Sequence, residues 1–208
     1  MRRAASLGVF CITLGISLFA GAHTTATQQV PKGAMPSLGR PTESGDAVPT
    51  LDFDTYFVGK WTFEWSLPDG PLGPAGTVTG TTIVTKLDGM FYEATTQGDG
   101  PAGPFNVKEL LAYHRENKTL ARQVTDSRGY SYLQFGAIGG DLGGIFNIHL
   151  DSAPFVAQGK SVRVRSVLRL LSPLNYRVAV SLSVDGGPFT NLGNPWWRKD
   201  LSYVGRER

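Results

Sequence analysis

The sequence predicts an all-β protein, an antiparallel up-and-down barrel of about ten strands, built as one domain over residues 51–208. Three observations carry this expectation. About nine or ten runs rich in β-branched and aromatic residues, many alternating apolar with polar, follow one another at intervals of roughly 8 to 14 residues. Nearly every gap between them holds Gly, Asn, Asp or Pro, the residues that turns require. No helical period lasts beyond a turn or two, which leaves no crossover helices for a parallel sheet. An open meander of this many strands would expose two long edges, and closure removes them.

The N terminus precedes that domain. Met1-Arg2-Arg3, the apolar stretch Ala4 to Ala20 and the triplet Ala20-Gly21-Ala22 have the order of a secretory signal peptide over residues 1–22. An uncleaved anchor is the alternative for a stretch of this length, but the polar His23 to Gln29 suits a peptidase better. Twin-arginine export ranks second, because nothing like the rest of that signal follows Arg2-Arg3. Cys11, the only cysteine, lies inside the apolar stretch, too early for lipid attachment and beside Gly8-Val9-Phe10 rather than a small-residue signal. A cleaved product would carry no thiol for a disulfide, for catalysis or for a metal. The expected location is therefore secreted or periplasmic, with no stable membrane anchor. Residues 23–50, dominated by Thr, Gln, Pro, Gly and Ser, read as a flexible leader that cannot bury enough surface to offset its ordering entropy.

Folding signals begin at Leu51 to Phe57, a short helix or turn. They continue into Val58 to Trp65, where Trp61, Phe63 and Trp65 share one face. Later strands are expected over Thr77–Leu87, Met90–Thr96, Phe105–Tyr113, Thr119–Asp126, Tyr130–Phe135, Ile145–Leu150, Ser161–Leu171, Tyr176–Val184 and Trp196–Val204. Asp88-Gly89, Arg115 to Lys118, Ser127 to Gly129, Ser172-Pro173 and Asp185 to Gly187 are short enough for hairpins. Gly136 to Gly144 reads as a flexible hairpin loop first and a lid over a barrel mouth second. The sequon Asn117-Lys118-Thr119 matters only for a eukaryotic secretory host.

Alternation also suggests what faces inward. Val162, Val164, Leu168 and Leu170 share a face opposite Arg163, Arg165 and Arg169, so those arginines read as a solvated face, with an anion site as the alternative. Tyr176, Val178, Val180, Leu182 and Val184 likewise oppose Arg177, Ser181 and Ser183. Two strands place an acid on the apolar face: Glu109 among Phe105, Val107, Leu111 and Tyr113, and Glu93 between Phe91 and Thr95. Facing a lumen, these carboxyls could exchange protons or hold a polar ligand; a one-residue bulge would turn them outward instead. His149, near the end of its strand, is either solvated or an inward proton carrier or single metal or haem ligand. Trp196 and Trp197 are adjacent, so only one of them can enter the lumen.

Charge narrows the function classes. The formal net charge of +3 falls to +1 once Arg2 and Arg3 leave with the signal peptide, so no nucleic-acid partner is expected. No ligand cluster at metal spacing, nucleophile elbow or phosphate loop occurs, and no cofactor is expected.

Gly59-Lys60-Trp61 at the start of the first strand resembles the calycin superfamily of lipocalin-like barrels, where a G-x-W closes one barrel end. Gly103-Pro104-Phe105, Leu110 to Tyr113, Thr125 to Gly129 and Ser183 to Gly187 follow in an order that resembles a family of bacterial, often exported, lipocalin-like domains of unknown function. This resemblance spans about residues 55–205 and implies a barrel of about ten strands with a lumen for a small apolar or amphipathic molecule. It implies no activity. Nitrobindin-like haem proteins are similar in fold, but Thr62 to Pro68 lacks their glycines and no histidine follows His149.

Three function classes follow. The leading one is a binding module for a small hydrophobic or amphipathic molecule, lined by Trp61, Phe63, Trp65, Phe91, Tyr113 and Tyr176, with Glu93, Glu109 and His149 as its polar groups. The second is an isomerase, cyclase or lyase that moves a proton through Glu109, Glu93 or His149. The third is a packed barrel with a structural or interaction role, its exposed patch centred on Trp196-Trp197.

Overall fold

Turn residues at short intervals and period-two strands leave a meander no option but to curl, and it closes. The structure, a computed structural model, describes residues 48–203. The proposed signal peptide, with Cys11, and the leader up to residue 47 lie outside them. A short helix, α1 (Phe53–Phe57), is followed by twelve strands. These are β1 (Gly59–Leu67), β2 (Gly76–Lys86), β3 (Phe91–Gly100), β4 (Gly103–His114), β5 (Thr119–Asp126) and β6 (Tyr130–Gly140), then β7 (Phe146–Ser152), β8 (Phe155–Ala157), β9 (Lys160–Ser172), β10 (Asn175–Val184), β11 (Thr190–Gly193) and β12 (Trp196–Lys199).

All pairings are antiparallel, and the ring closes as β1 to β7 in sequence, then β9, β10 and β12 back onto β1, a ten-stranded barrel. The two remaining strands are continuations across breaks. β8 prolongs β7 along β9 after Pro154, and β11 and β12 share the flank of β10 on either side of Pro195. Proline has no N–H to give a ladder, which explains the breaks. Both short strands went unread in the sequence, being too brief to show a period. The glycine-rich segment also differs from expectation: Gly136–Gly140 extends β6, leaving a loop of about five residues. A Cβ on Gly136 would lie 1.5 Å from the His149 carbonyl oxygen, so only glycine lets β7 pass this close.

Helix α1 closes one end. Asp52 caps it, accepting from the Thr55 amide at 3.2 Å, and Phe53 and Phe57 turn into the barrel. Three strands hold it there: the Trp61 indole donates to the Phe57 carbonyl at 2.8 Å, the Tyr113 hydroxyl to the Leu51 carbonyl at 2.8 Å, and Lys199 Nζ to the Thr55 carbonyl at 3.0 Å. Asp54 adds a polar fastening, accepting from Lys86 and from the Tyr92 hydroxyl, both at 2.6 Å. The Lys86 bond first, and the Tyr92 bond second, hold the Asp54 carboxyl below its usual range. That contribution is complete above the ordinary carboxylate pKa, about 3.9, and is lost as pH falls through the lowered value. Because Asp54 is half exposed, solvent screens the fastening to about 0.5 kcal/mol. Acid titration monitored by tryptophan fluorescence should therefore show a small transition below pH 4 that Asp54→Asn removes; an identical acid limb in the variant would contradict this.

Candidate functional site

Above the α1 floor, the inward faces of β1 to β7, β9, β10 and β12 enclose a chamber of about 170 Å³. Most of its wall is apolar, including Phe63, Trp65, Val78, Phe105, Val124, Leu168, Val178 and Val180. Trp197 is the member of the tryptophan pair that enters, stacking on Phe63 at 4.8 Å and on Tyr176 at 5.6 Å, while Trp196 stays outside near Arg177. The arginine face expected on β9 is exposed, as alternation indicated.

A polar cluster interrupts the apolar wall. β5 turns Leu120, Arg122, Val124 and Asp126 inward, so a cation and an acid enter with two apolar side chains. Arg122 Nη1 lies 3.3 Å from Glu109 Oε2 on the neighbouring strand, and both side chains keep 17% exposure, which belongs to the chamber. The guanidinium also donates to Gln134 Oε1 through Nε, at 3.1 Å, and through Nη2. Gln134, itself fully buried, passes its amide hydrogens to the Val164 carbonyl at 3.3 Å and to Ser166 Oγ at 3.4 Å. Burial is the largest influence on the Arg122 charge and works against it, but Glu109, Tyr132 and Tyr176 together outweigh it and the pKa rises. Burial also raises the phenol pKa values of Tyr132 and Tyr176, helped by the Glu109 charge and opposed by Arg122, so both remain protonated donors.

The mouth lies opposite α1. Arg128 grips the Asp126 carboxylate with Nε at 2.9 Å and Nη2 at 2.6 Å, and reaches the Leu72 carbonyl at 3.1 Å. Its guanidinium lies 4.3 Å from the Phe105 ring centroid and 5.4 Å from that of Tyr130. The segment between β1 and β2 is thereby drawn over the chamber. On the seam side, the Trp65 indole donates to the Leu192 carbonyl at 2.7 Å across the gap between β1 and β11. Gly193, at φ +112, permits this approach, since a Cβ there would lie 2.9 Å from the indole nitrogen.

The residues singled out in the sequence separate into three groups. Phe63, Trp65, Glu109 and Tyr176 line the chamber together. Trp61 and Tyr113 point inward but below it, in the packed floor that holds α1. Phe91, Glu93 and His149 face the outside, which corrects their assignment to the lumen. On β3 the inward set is Tyr92, Ala94 and Thr96, fixed by the Tyr92 ring packing 4.5 Å from Phe53; Glu93 outside meets Lys108 at 2.6 Å. On β7 the inward set is Phe146, Ile148 and Leu150, so His149 takes the solvent side, and among the described residues no histidine lines the chamber. Arg122, Gln134, Tyr132 and Asp126 were missed. A usable signal existed in β5, where Arg122 shares its face with Leu120 and Val124 and adjoins a strand with an inward acid.

Comparison with known proteins bears on the fold. Residues 55–192 match the family described as "Protein of unknown function (DUF1579)". No curated protein matches the sequence. The crystal structure of Rv2717c from M. tuberculosis is similar, with TM-score 0.60 and 13% identity over 74% of this chain and 99% of that one, a likeness of fold alone. A de novo designed fluorescence-activating β-barrel overlaps at TM-score 0.42 and 15% identity, over 72% of this chain and 99% of the design.

Proposed function

Because this chain belongs to DUF1579, a family of unknown function, its role rests on the barrel itself, and we propose an exported binding protein that holds a small hydrophobic or amphipathic molecule in its lumen. The observation that supports this reading is the chamber of about 170 Å³, apolar on most of its wall and polar at Glu109, Arg122, Tyr132 and Tyr176. Ligand sites combine an apolar body with a few convergent polar groups in this way. An apolar hole of about 150 Å³ already takes benzene, so the occupant is of single-ring size unless the mouth yields. Lipocalin-like kinship fits the closed base, where Gly59-Lys60-Trp61 opens β1 and Trp61 seals the floor. Export follows from the reading of residues 1–22 as a signal peptide.

An enzyme of isomerase, cyclase or lyase type is the second reading, favoured by one feature: Glu109 shares the chamber with two protonated tyrosines. A carboxylate base beside phenolic donors is a workable proton-transfer set. Native mass spectrometry of the protein purified from its host's secreted or periplasmic fraction tests the binding reading. A small molecule lost on denaturation is expected; a repeatedly bare mass would move weight to a barrel with a surface role.

A further inference from the structure

We infer that the lumen selects an uncharged ligand whose carbonyl or hydroxyl oxygen is received by Tyr132, Tyr176 and Arg122, an inference that rests on the binding reading above. Two features of the chamber lead there. The first is its charge balance. The ionised groups on the wall are Glu109 with Arg122 and Asp126 with Arg128, two acids matched by two cations. A bound anion or cation would leave one net charge in an apolar enclosure, where an unmatched charge is costly. The paired arginines therefore do not make an anion site.

The second feature is a surplus of donors. Among the described residues the Tyr132 and Tyr176 hydroxyls have no hydrogen-bond partner in the protein, and no buried side-chain oxygen or nitrogen is orphaned, so both hydroxyls open onto the chamber. Arg122 has five N–H groups, of which Gln134 engages two and Glu109 faces the third nitrogen, so donors remain. The titration of both tyrosines is moved by Arg122 and Glu109, which places all four groups in one neighbourhood. A hydrocarbon would displace water from these donors and return nothing. A neutral oxygen acceptor on an apolar body satisfies them without adding charge.

The test uses three probes of similar size on the purified protein: acetophenone, ethylbenzene and benzoate. Affinities come from calorimetry, with the fluorescence of Trp65 and Trp197 reporting entry. Acetophenone should bind about two- to tenfold more tightly than either of the others, the worth of one net hydrogen bond. Tyr132→Phe/Tyr176→Phe, which keeps both rings, should bring the ratio of acetophenone to ethylbenzene close to one; Tyr176→Phe alone, a milder change, should lower it. Benzoate binding as well as acetophenone, or a ratio unchanged in the tyrosine variants, would overturn the selection rule while leaving lumen binding intact. Failure of all three probes to bind would overturn both readings.

Discussion

Trp61→Ala should lower stability by about 3–5 kcal/mol, the range for removing a fully buried large aromatic side chain. Trp61 has no exposed surface and packs its ring 4.9 Å from that of Tyr176. Its indole N–H is also the bond that fixes the C-terminal end of α1 through the Phe57 carbonyl. Truncation leaves a hole in the floor and frees the plug at the same time. For a domain of this size each kcal/mol shifts Tm by about 2–4 °C, so calorimetry should record a fall of roughly 6–20 °C. Trp61→Phe separates the two contributions, because it restores most of the ring but not the donor; about 1–3 kcal/mol should persist. Loss of less than about 1 kcal/mol in the alanine variant would mean that α1 settles into the gap and that the tryptophan is not what closes this end.

Arg122→Met is the second substitution with a large expected effect. It leaves the Glu109 carboxylate in the chamber without its cation and Gln134 Oε1 without its donor. Breaking a buried pair on one side costs about 3–5 kcal/mol, whereas replacing both partners with apolar groups of similar volume is often close to neutral. Glu109→Leu/Arg122→Met should therefore be less destabilised than the sum of its single variants by about 2 kcal/mol. Urea unfolding of all four proteins completes the cycle. Additive effects would show that the pair is uncoupled and that the chamber tolerates the lone acid through water.

Much of the barrel was legible because its strands obey one period. β9 and β10 display it along most of their length, with Ser166 the polar member of the β9 inward face, and Thr119–Asp126 was bounded to the residue. β3 defeated the same reasoning, since Phe91 and Tyr92 offer an aromatic to either face and threonines follow on both. Only the contact between Tyr92 and α1, far along the chain at Phe53, decides between them. The candidate site was half visible for a different reason. Assigning every charge to solvent is sound for an isolated strand, as Arg163, Arg165 and Arg169 illustrate. It fails where the neighbouring strand carries the opposite charge inward, and the Glu109–Arg122 pair is of that kind. Strand pairing had to be known before the pair could be seen.

The proline breaks give the barrel wall an uneven resistance to opening. Register pairs between β1 and β12 end at Glu64↔Trp196, and the last backbone bond from β6 toward the β7–β8 side is Ala153 N–H to the Leu133 carbonyl. Beyond these points the backbones of Trp65 to Leu67 and Tyr130 to Tyr132 have a ladder partner on one side only, the Trp65 indole bond to Leu192 being a side-chain bridge, and both gaps lie at the mouth. Amide hydrogens there should exchange with solvent through local opening, while those near α1 should wait for rarer, larger events. A guest wider than the resting chamber could then enter by parting two seams, with the ladders at the base intact throughout.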